Sequence, residues 1–369
     1  MVRNKINKFV FFFDSRATFA YSNNIIKVFK KKRLNYKIIV SGNYLEKEMK
    51  INQNIFYKHK LKISSAIKFE SPGKKKGDWP RSFGKAMIGY AKALEKAKPD
   101  IVLITGDRIE TLAFCITCAY MNIPIAHIQA GDQSGHIDDL SRAAISKFSN
   151  LHFAPSKEAC KRLESWGEDK KRIFFTGAPQ LDDIKYNKKI KKKGYYIIIF
   201  HPVLNEQKDL DRQLNSLIRA IKKTKIKVFW IYPNNDAGYK KIINKINKHK
   251  IKNVKIVPNY ERSKFLELLE KSNGMIGNSS AGIIEASMFK IPVINIGKRQ
   301  NGRPQSINLV NSSIAFKSIE KKIRYIQKNK KFINSLKYTK NPFFIKNSSE
   351  KITKILINLK NQDSLLKKY

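Results

Sequence analysis

The sequence predicts an α/β protein with two parallel-sheet domains, on three observations. Short continuous apolar runs rich in β-branched and aromatic residues alternate with longer stretches of helical spacing, the pattern of a sheet covered on both faces. The alternation runs through twice, and the basic, apolar-poor segment Lys185 to Gly194 (KYNKKIKKKG) separates the halves as a linker. The 369 residues, 42% of them hydrophobic, suffice for two cores at roughly 100 to 200 residues per domain.

In the first half the expected strands are Phe9 to Phe13, Tyr36 to Val40, Ile101 to Thr105, Ile125 to Gln129, Leu151 to Ala154 and Ile173 to Thr176. Ser82 to Lys98 and Glu110 to Met121 have helical spacing, and Pro99 and Pro124 follow where each helix has stopped. The second half offers strands at Tyr196 to Phe200, Val228 to Tyr232, Val254 to Val257, Met275 to Ile276 and Val293 to Ile296. Helical stretches at Leu210 to Lys222, Tyr239 to Lys248, Lys264 to Lys271 and Ile283 to Phe289 lie between and after them. Ser348 to Leu366 reads as one amphipathic helix, with Ile352, Ile355, Leu356 and Leu359 on its apolar face. The expected domains are residues 1–184 and 195–345, followed by a C-terminal helix over 346–369.

Lys and Arg number 75 against 29 Asp and Glu, a formal charge of +46. Such an excess suits a polyanion or phosphorylated partner, yet lysine is spread over the whole chain and its runs fall between apolar segments, as a solvated surface requires. Three cysteines, Cys115, Cys118 and Cys160, are too few and odd for a disulfide framework, so a reducing compartment, the cytoplasm, is expected. The Phe9 to Phe13 run is too short for a signal-peptide core, and nothing approaches the ~18 apolar residues that span a bilayer.

Ligands of open α/β sheets bind beyond the carboxyl ends of the strands, so the polar groups following each strand carry the functional reading. Asp14-Ser15-Arg16 follows the first strand, Gly106-Asp107-Arg108 the third, and His127 and Gln129 lead into Ala130-Gly131-Asp132 after the fourth. His201-Pro202 opens the ligand edge of the second domain, and Gly277-Asn278-Ser279-Ser280-Ala281-Gly282 follows its fourth strand. A glycine-flanked serine pair between strand and helix suits a phosphate, through backbone N–H groups and the helix dipole; it equally suits an ordinary N-cap. Glu285, one turn in, is placed for ribose hydroxyls or for the dipole. The carboxylates Asp107, Asp132, Asp138 and Asp139 form an acidic group suited to acid/base work, or to capping.

His201 is placed to bind phosphate or move a proton. His127 and His152 lie within strands as core or supporting residues, His136 sits on a loop with no assigned role, and His59 and His249 lie among lysines. Cys115 and Cys118 fall inside an apolar helical stretch, so packing rather than metal is expected. The loop Ser71 to Arg81 reads as a candidate lid, with Trp79 and Arg81 able to reach a substrate. Neither a P-loop nor a G-x-G-x-x-G fingerprint occurs.

Taken together, Gly106 to Leu112, Met121 to Asp132, Ser134 to Asp139, Gly177 to Asp182, His201-Pro202, Asn235 to Gly238, Gly277 to Ala286, Ile291 to Gly297 and Arg299-Gln300-x-Gly302-Arg303 resemble the hydrolysing UDP-N-acetylglucosamine 2-epimerases in the same order. The resemblance implies a GT-B-like fold, two Rossmann-like domains with the active site in the cleft and the last helix returning to the first domain. It implies removal of the C2 proton of a nucleotide-linked 2-acetamido sugar with departure of UDP, then hydration of the glycal to the free manno sugar for sialic-acid-like glycans. No cofactor and no metal are implied; the expected partner is the nucleotide sugar, without specific nucleic acid or membrane span, and a homo-oligomer is expected.

By position, Arg16, Gly277, Ser279, Ser280, Gly282 and Glu285 form the implied nucleotide-binding set, with His201 beside them. Asp107, Gln129 and Asp138 occupy the implied acid/base positions, and Asp132 and His201 complete the expected catalytic set. Three positions depart from the family pattern. Gln129 stands where many members have Glu, and an amide cannot take a proton as a base; either Asp132 or another carboxylate takes that role, or the chemistry is altered. Ala143 replaces a histidine after Arg142. Asp14 replaces the glycine of the family's Gly-Thr-Arg-Ala motif, and its charge is expected to repel a diphosphate. A non-hydrolysing epimerase, a GT-B glycosyltransferase and a polyanion-binding protein with a silent site are the alternative readings.

Overall fold

The computed structural model describes residues 6–42, 56–69, 77–134, 138–234, 238–258, 260–359, 362 and 365–367; the side chains of residues 16, 138 and 204 lie outside that set. Two compact units form, one from residues 1–132, 138–183 and 343–369, the other from residues 133–137 and 184–342. Residues 71–76 of the candidate lid, residues 135–137 with His136, and residues 235–237, all singled out in the sequence, lie outside the described residues.

The first unit is a parallel sheet in the order β3-β2-β1-β4-β5-β6-β7. Its strands are β1 (Lys8–Phe13), β2 (Asn35–Ser41), β3 (Ser65–Ile67), β4 (Ile101–Thr105), β5 (Ile125–Ile128), β6 (Leu151–Ala154) and β7 (Ile173–Phe175). The connecting helices are α1 (Arg16–Lys31), α2 (Asp78–Ala97), α3 (Ile109–Tyr120), α4 (Asp138–Phe148) and α5 (Lys157–Ser165). β1 shows why the apolar runs are continuous. Phe9, Phe11 and Phe13 join one core with Phe29 of α1, while Val10 and Phe12 join another with Tyr90 of α2 and Phe114 of α3. Phe12 stacks on Phe114 with ring centroids 4.1 Å apart. Cys115 and Cys118 are buried in that second core, as packing residues.

The second unit is a parallel sheet in the order β10-β9-β8-β11-β12-β13. Its strands are β8 (Tyr195–Ile199), β9 (Lys227–Ile231), β10 (Val254–Val257), β11 (Gly274–Gly277), β12 (Val293–Ile296) and β13 (Leu309–Ser312). The helices are α6 (Leu210–Thr224), α7 (Tyr239–Lys248), α8 (Arg262–Lys271), α9 (Ser280–Ile284), α10 (Phe316–Lys328) and α11 (Lys330–Ser335). Trp230 is completely buried among Ile198, Phe200 and the apolar faces of α6 and α10.

Several boundaries differ from expectation. β3 and β13 are additional strands. Three residues are too short for a periodic signal in β3, and Asn311 and Ser312 interrupt the apolar run in β13. The expected lid residues Trp79 and Arg81 belong to the first turns of α2, where Arg81 pairs with Asp78 at 2.7 Å. The basic segment after residue 184 is tied to α8: Asn187 N–H donates to Glu270 Oε1 at 2.9 Å, and Lys193 N–H donates to Lys271 O at 2.9 Å. α12 (Ser348–Ile357) stops well before Leu366, because the Asn358 N–H turns back onto the Ile355 and Leu356 carbonyls and closes the last turn.

α12 completes the first unit. Ile352 and Leu356 enter the core that holds Phe9 and Phe29. Its free amino end is capped from a distance: the N–H groups of Ser348 and Ser349 donate to the two oxygens of Asp182 at 3.0 and 2.7 Å. Beyond the helix, Asn150 Nδ2 donates to Leu365 O at 3.0 Å, and Lys367 Nζ reaches Glu168 Oε2 at 2.6 Å.

Candidate active site

Each sheet has one topological switch point, where two neighbouring strands send their connections in opposite directions and the loops part. In the first sheet it lies between β1 and β4, in the second between β8 and β11. The turns after these four strands begin Asp14-Ser15-Arg16, Gly106-Asp107-Arg108, Phe200-His201-Pro202 and Asn278-Ser279-Ser280. Parallel order alone thus brings the sequence-selected residues to the ligand edge of each unit.

In the first unit, Asp107 forms an ion pair with the Arg142 guanidinium on α4. Arg142 is buried; its Nη1 donates to the Gln129 carbonyl at 3.4 Å, and its Nε lies 4.0 Å from Asp139 Oδ1. One arginine therefore ties together the turn after β4, the turn after β5 and the start of α4. Asp138 is the first residue of that helix; its side chain lies outside the described set. His127 supports the same region from within β5. Its Nε2 lies 2.9 Å from the Gly106 carbonyl and its Nδ1 3.3 Å from the Ser146 hydroxyl. Burial pushes its pKa down to about 3, so the ring is neutral and donates from Nε2 to that carbonyl.

Gln129 follows β5 in left-handed backbone conformation, φ +66°. Lys98, Lys225 and Lys290 adopt the same region as helix C-caps, whereas Gln129 is buried in the turn that carries Asp132. Such a conformation in a long side chain is concentrated at functional turns. Its Nε2 donates to Gln180 Oε1 at 3.1 Å. Gly131 explains the shape of the turn: at φ +69°, a Cβ here would lie 2.5 Å from the Ala159 carbonyl of α5. The close approach sets the position of Asp132, which is 2% exposed.

Asp14 is fully buried rather than presented to a ligand. Thr111 Oγ1 donates to its Oδ2 at 2.5 Å, and Thr18 Oγ1 lies 3.2 Å from its Oδ1. Burial first, then the neighbouring Glu110 carboxylate, push its pKa up to about 6. The carboxyl faces protein hydroxyls and holds a proton more readily than an exposed aspartate. Arg16 opens α1 directly after it.

In the second unit, Asn278 is the hub. Its Oδ1 accepts the His201 N–H at 2.7 Å, and its Nδ2 donates to the His201 carbonyl at 2.9 Å, a two-way clasp across β8 and β11. Its own carbonyl accepts from Arg299 Nη1 at 3.0 Å and Gln300 Nε2 at 2.9 Å. His201 Nδ1 accepts the Asn234 N–H at 3.2 Å, which assigns the neutral-ring proton to Nε2. Burial, with Arg299 nearby, holds its pKa well below the usual imidazole value.

Gly277 has φ +138°, and a Cβ there would fall 1.9 Å from the Ile199 carbonyl. Ser279 is the N-cap of α9, its hydroxyl accepting the Ala281 N–H at 3.4 Å; Ser280 opens the helix and is partly exposed. Gly282 faces Val293, where a Cβ would lie 2.9 Å from Cγ1. Glu285 closes the helix and pairs with Arg262 of α8 at 3.3 Å. Asn278, Arg262, Arg142 and Gln180 emerge as structural partners of the selected residues. Only the motifs that contain Asn278 and Gln180, and the position after which Ala143 departs, gave any signal of them.

A family model for UDP-N-acetylglucosamine 2-epimerase matches residues 27–357. A UDP-N,N'-diacetylbacillosamine 2-epimerase (hydrolyzing) from Legionella pneumophila is 30% identical over 330 residues, covering 85% of this chain and 87% of the relative. A GDP/UDP-N,N'-diacetylbacillosamine 2-epimerase (hydrolyzing) from Campylobacter jejuni is 33% identical over 316 residues, covering 79% and 81%. Among solved structures, UDP-GlcNAc 2-epimerase from Neisseria meningitidis, bound to UDP-GlcNAc, superimposes with a TM-score of 0.80 at 17% identity, over 95% of this chain and 100% of that one. This likeness gives the fold, α/β and GT-B-like. With its family match over most of its length and its two parallel sheets, the chain belongs to the UDP-N-acetylglucosamine 2-epimerase family.

Proposed function

We propose that the chain is a hydrolysing 2-epimerase of a UDP-linked 2-acetamido sugar, UDP-N-acetylglucosamine or a 4-amino-6-deoxy relative. The observation that carries this reading is the division of labour between the switch points. Acidic groups braced by Arg142 occupy one, and an amide, imidazole and arginine set occupies the other. The hydrolysing activities named for the Legionella and Campylobacter relatives support the hydrolytic outcome.

On this reading the second unit holds UDP. His201 donates from Nε2–H to a phosphate oxygen, Ser279 and Ser280 receive the phosphates, Arg299 adds positive charge, and Glu285 accepts from the ribose hydroxyls. Gly277 and Gly282 let strand and helix pack closely enough to aim these groups. The acid/base groups belong to the first unit. There, Asp132 takes the C2 proton, because Gln129 carries an amide that cannot. The C2–H electrons form the C1=C2 bond as C1–O breaks and UDP departs. Water then adds across the glycal, hydroxyl to C1 and proton to C2 from the opposite face, with Asp107 and Asp138 as the acid/base pair. The product is the free manno sugar, a precursor of the sialic-acid type, made in the cytoplasm.

The test is incubation of purified protein with UDP-N-acetylglucosamine and the UDP- and GDP-linked diacetylbacillosamine sugars in deuterated water. Free sugar inverted and deuterated at C2, with one equivalent of nucleoside diphosphate, is the expected result. A deuterated epimer still linked to nucleotide identifies a non-hydrolysing enzyme, and no deuterium at C2 from any substrate refutes epimerisation.

A further inference from the structure

Asp14 does not take part in the chemistry just described, yet it lies at the centre of the first switch point. It closes the β1 end, is fully buried, and contacts two helices that leave neighbouring strands in opposite directions. Thr111, in the first turn of α3, donates its hydroxyl proton to Oδ2 at 2.5 Å. Thr18, in the first turn of α1, lies 3.2 Å from Oδ1 and shares its proton with the Ser15 carbonyl at 2.8 Å. Next to Thr111, Glu110 is buried and pairs with Arg108 at 3.3 Å. Gly42, at the end of β2, packs so closely that a Cβ would come within 3.0 Å of Glu110 Oε1 and 3.1 Å of the Asp14 carbonyl.

A side-chain carboxyl therefore joins the turn that opens on Arg16 to the turn that carries Asp107 and Arg108. Main-chain hydrogen bonding cannot do this, because the loops diverge here and the ladder between β1 and β4 ends at Phe11 opposite Leu103. We propose that Asp14 is a positioning residue, which locks the first turn of α1 to the first turn of α3 and so fixes the separation of the Arg16 and Asp107 turns. The kinetic arm of its test rests on the proposed epimerase activity; the structural arm does not.

The experiment is hydrogen exchange on the full chain, wild type against Asp14→Ala, Asp14→Asn and Thr111→Val. Breaking the bridge from either end is expected to speed exchange at 15–19 and 109–113 together, by about tenfold or more, because the two turns then open independently of the core. Asp14→Asn keeps an acceptor and gains a donor for the two hydroxyls, so it is expected to exchange no faster than wild type at either turn. With a sugar nucleotide that wild type turns over, Asp14→Ala should lower kcat by about 10- to 100-fold with KM little changed, and Asp14→Asn should restore it.

Faster exchange confined to the segment bearing the substitution overturns the proposal, as does an unchanged kcat in Asp14→Ala. Thr111→Val leaves the α1 cap intact and serves if Asp14→Ala does not fold. If wild type epimerises none of the substrates, the functional reading falls, while the paired exchange result still decides the positioning role.

Discussion

Replacing Asp14 by Asn tests how much the buried carboxyl costs. The group is fully buried, with the Glu110 carboxylate beside it, and titrates near 6 against an ordinary 3.8. The charged groups around it are Glu110 and Arg108 at the start of α3; Tyr90 of α2, bonded to Ser41 at 2.7 Å, lies behind them. A carboxyl whose folded pKa is raised contributes fully below its unfolded value, and that contribution is lost as pH climbs through the folded one. From about pH 4 to about pH 6 the wild type should therefore lose roughly 3 kcal/mol relative to a chain neutral at this position. Asparagine stays neutral throughout.

The expected result is a first unit of equal stability in the two proteins near pH 4. By pH 7.5 it should be more stable in Asp14→Asn, by about 1 to 3 kcal/mol once the reorientation of one threonine hydroxyl is counted. Because the chain holds two units, a single melting curve would blend them. Native-state exchange at the β1 and β4 amides reads this unit alone. A difference independent of pH between 4 and 7.5, or Asp14→Asn less stable at the higher pH, would refute the reasoning.

Three further outcomes are expected. Asp132→Asn should abolish deuterium incorporation at C2 while UDP binding by calorimetry is kept, and Gln129→Glu should not rescue it; rescue would reassign the base. Gly277→Ala should destabilise the second unit by more than about 3 kcal/mol in urea, since φ +138° and the Ile199 carbonyl both exclude a Cβ. Asp182→Ala removes both acceptors at the start of α12 and should cost about 1 to 2 kcal/mol, with faster exchange over 348–352 as its local sign.

The sheets were readable because parallel strands are buried on both faces. Runs such as FVFFF and YYIII contain nothing but core residues and announce themselves without periodicity. The strand-end turns followed, because parallel order puts all of them on one edge. What escaped had mixed chemistry. α1 begins RATFAYSNN, and its polar residues conceal a helix whose start was nevertheless marked by Ser15 and Thr18, the reciprocal cap of the first turn. β13 hides behind two polar residues. The environment of Asp14 was not legible because its partner Thr111 lies 97 positions away, and only strand order brings the two together. Arg142 was visible as a motif residue, but its bridging of Asp107 and the Gln129 carbonyl depends on the left-handed turn, which no local pattern announces in a glutamine.

The placement of α12 has a consequence for how the chain matures. The first unit begins at the amino end, yet Ile352 and Leu356, which seal the core around Phe9 and Phe29, emerge only after the entire second unit has been made. A nascent chain halted near residue 184 would hold a seven-stranded sheet with an open apolar seam along α1, a surface that invites chaperones or aggregation. The domain that starts first is thus finished last, and excising it as a working fragment requires supplying its final helix separately.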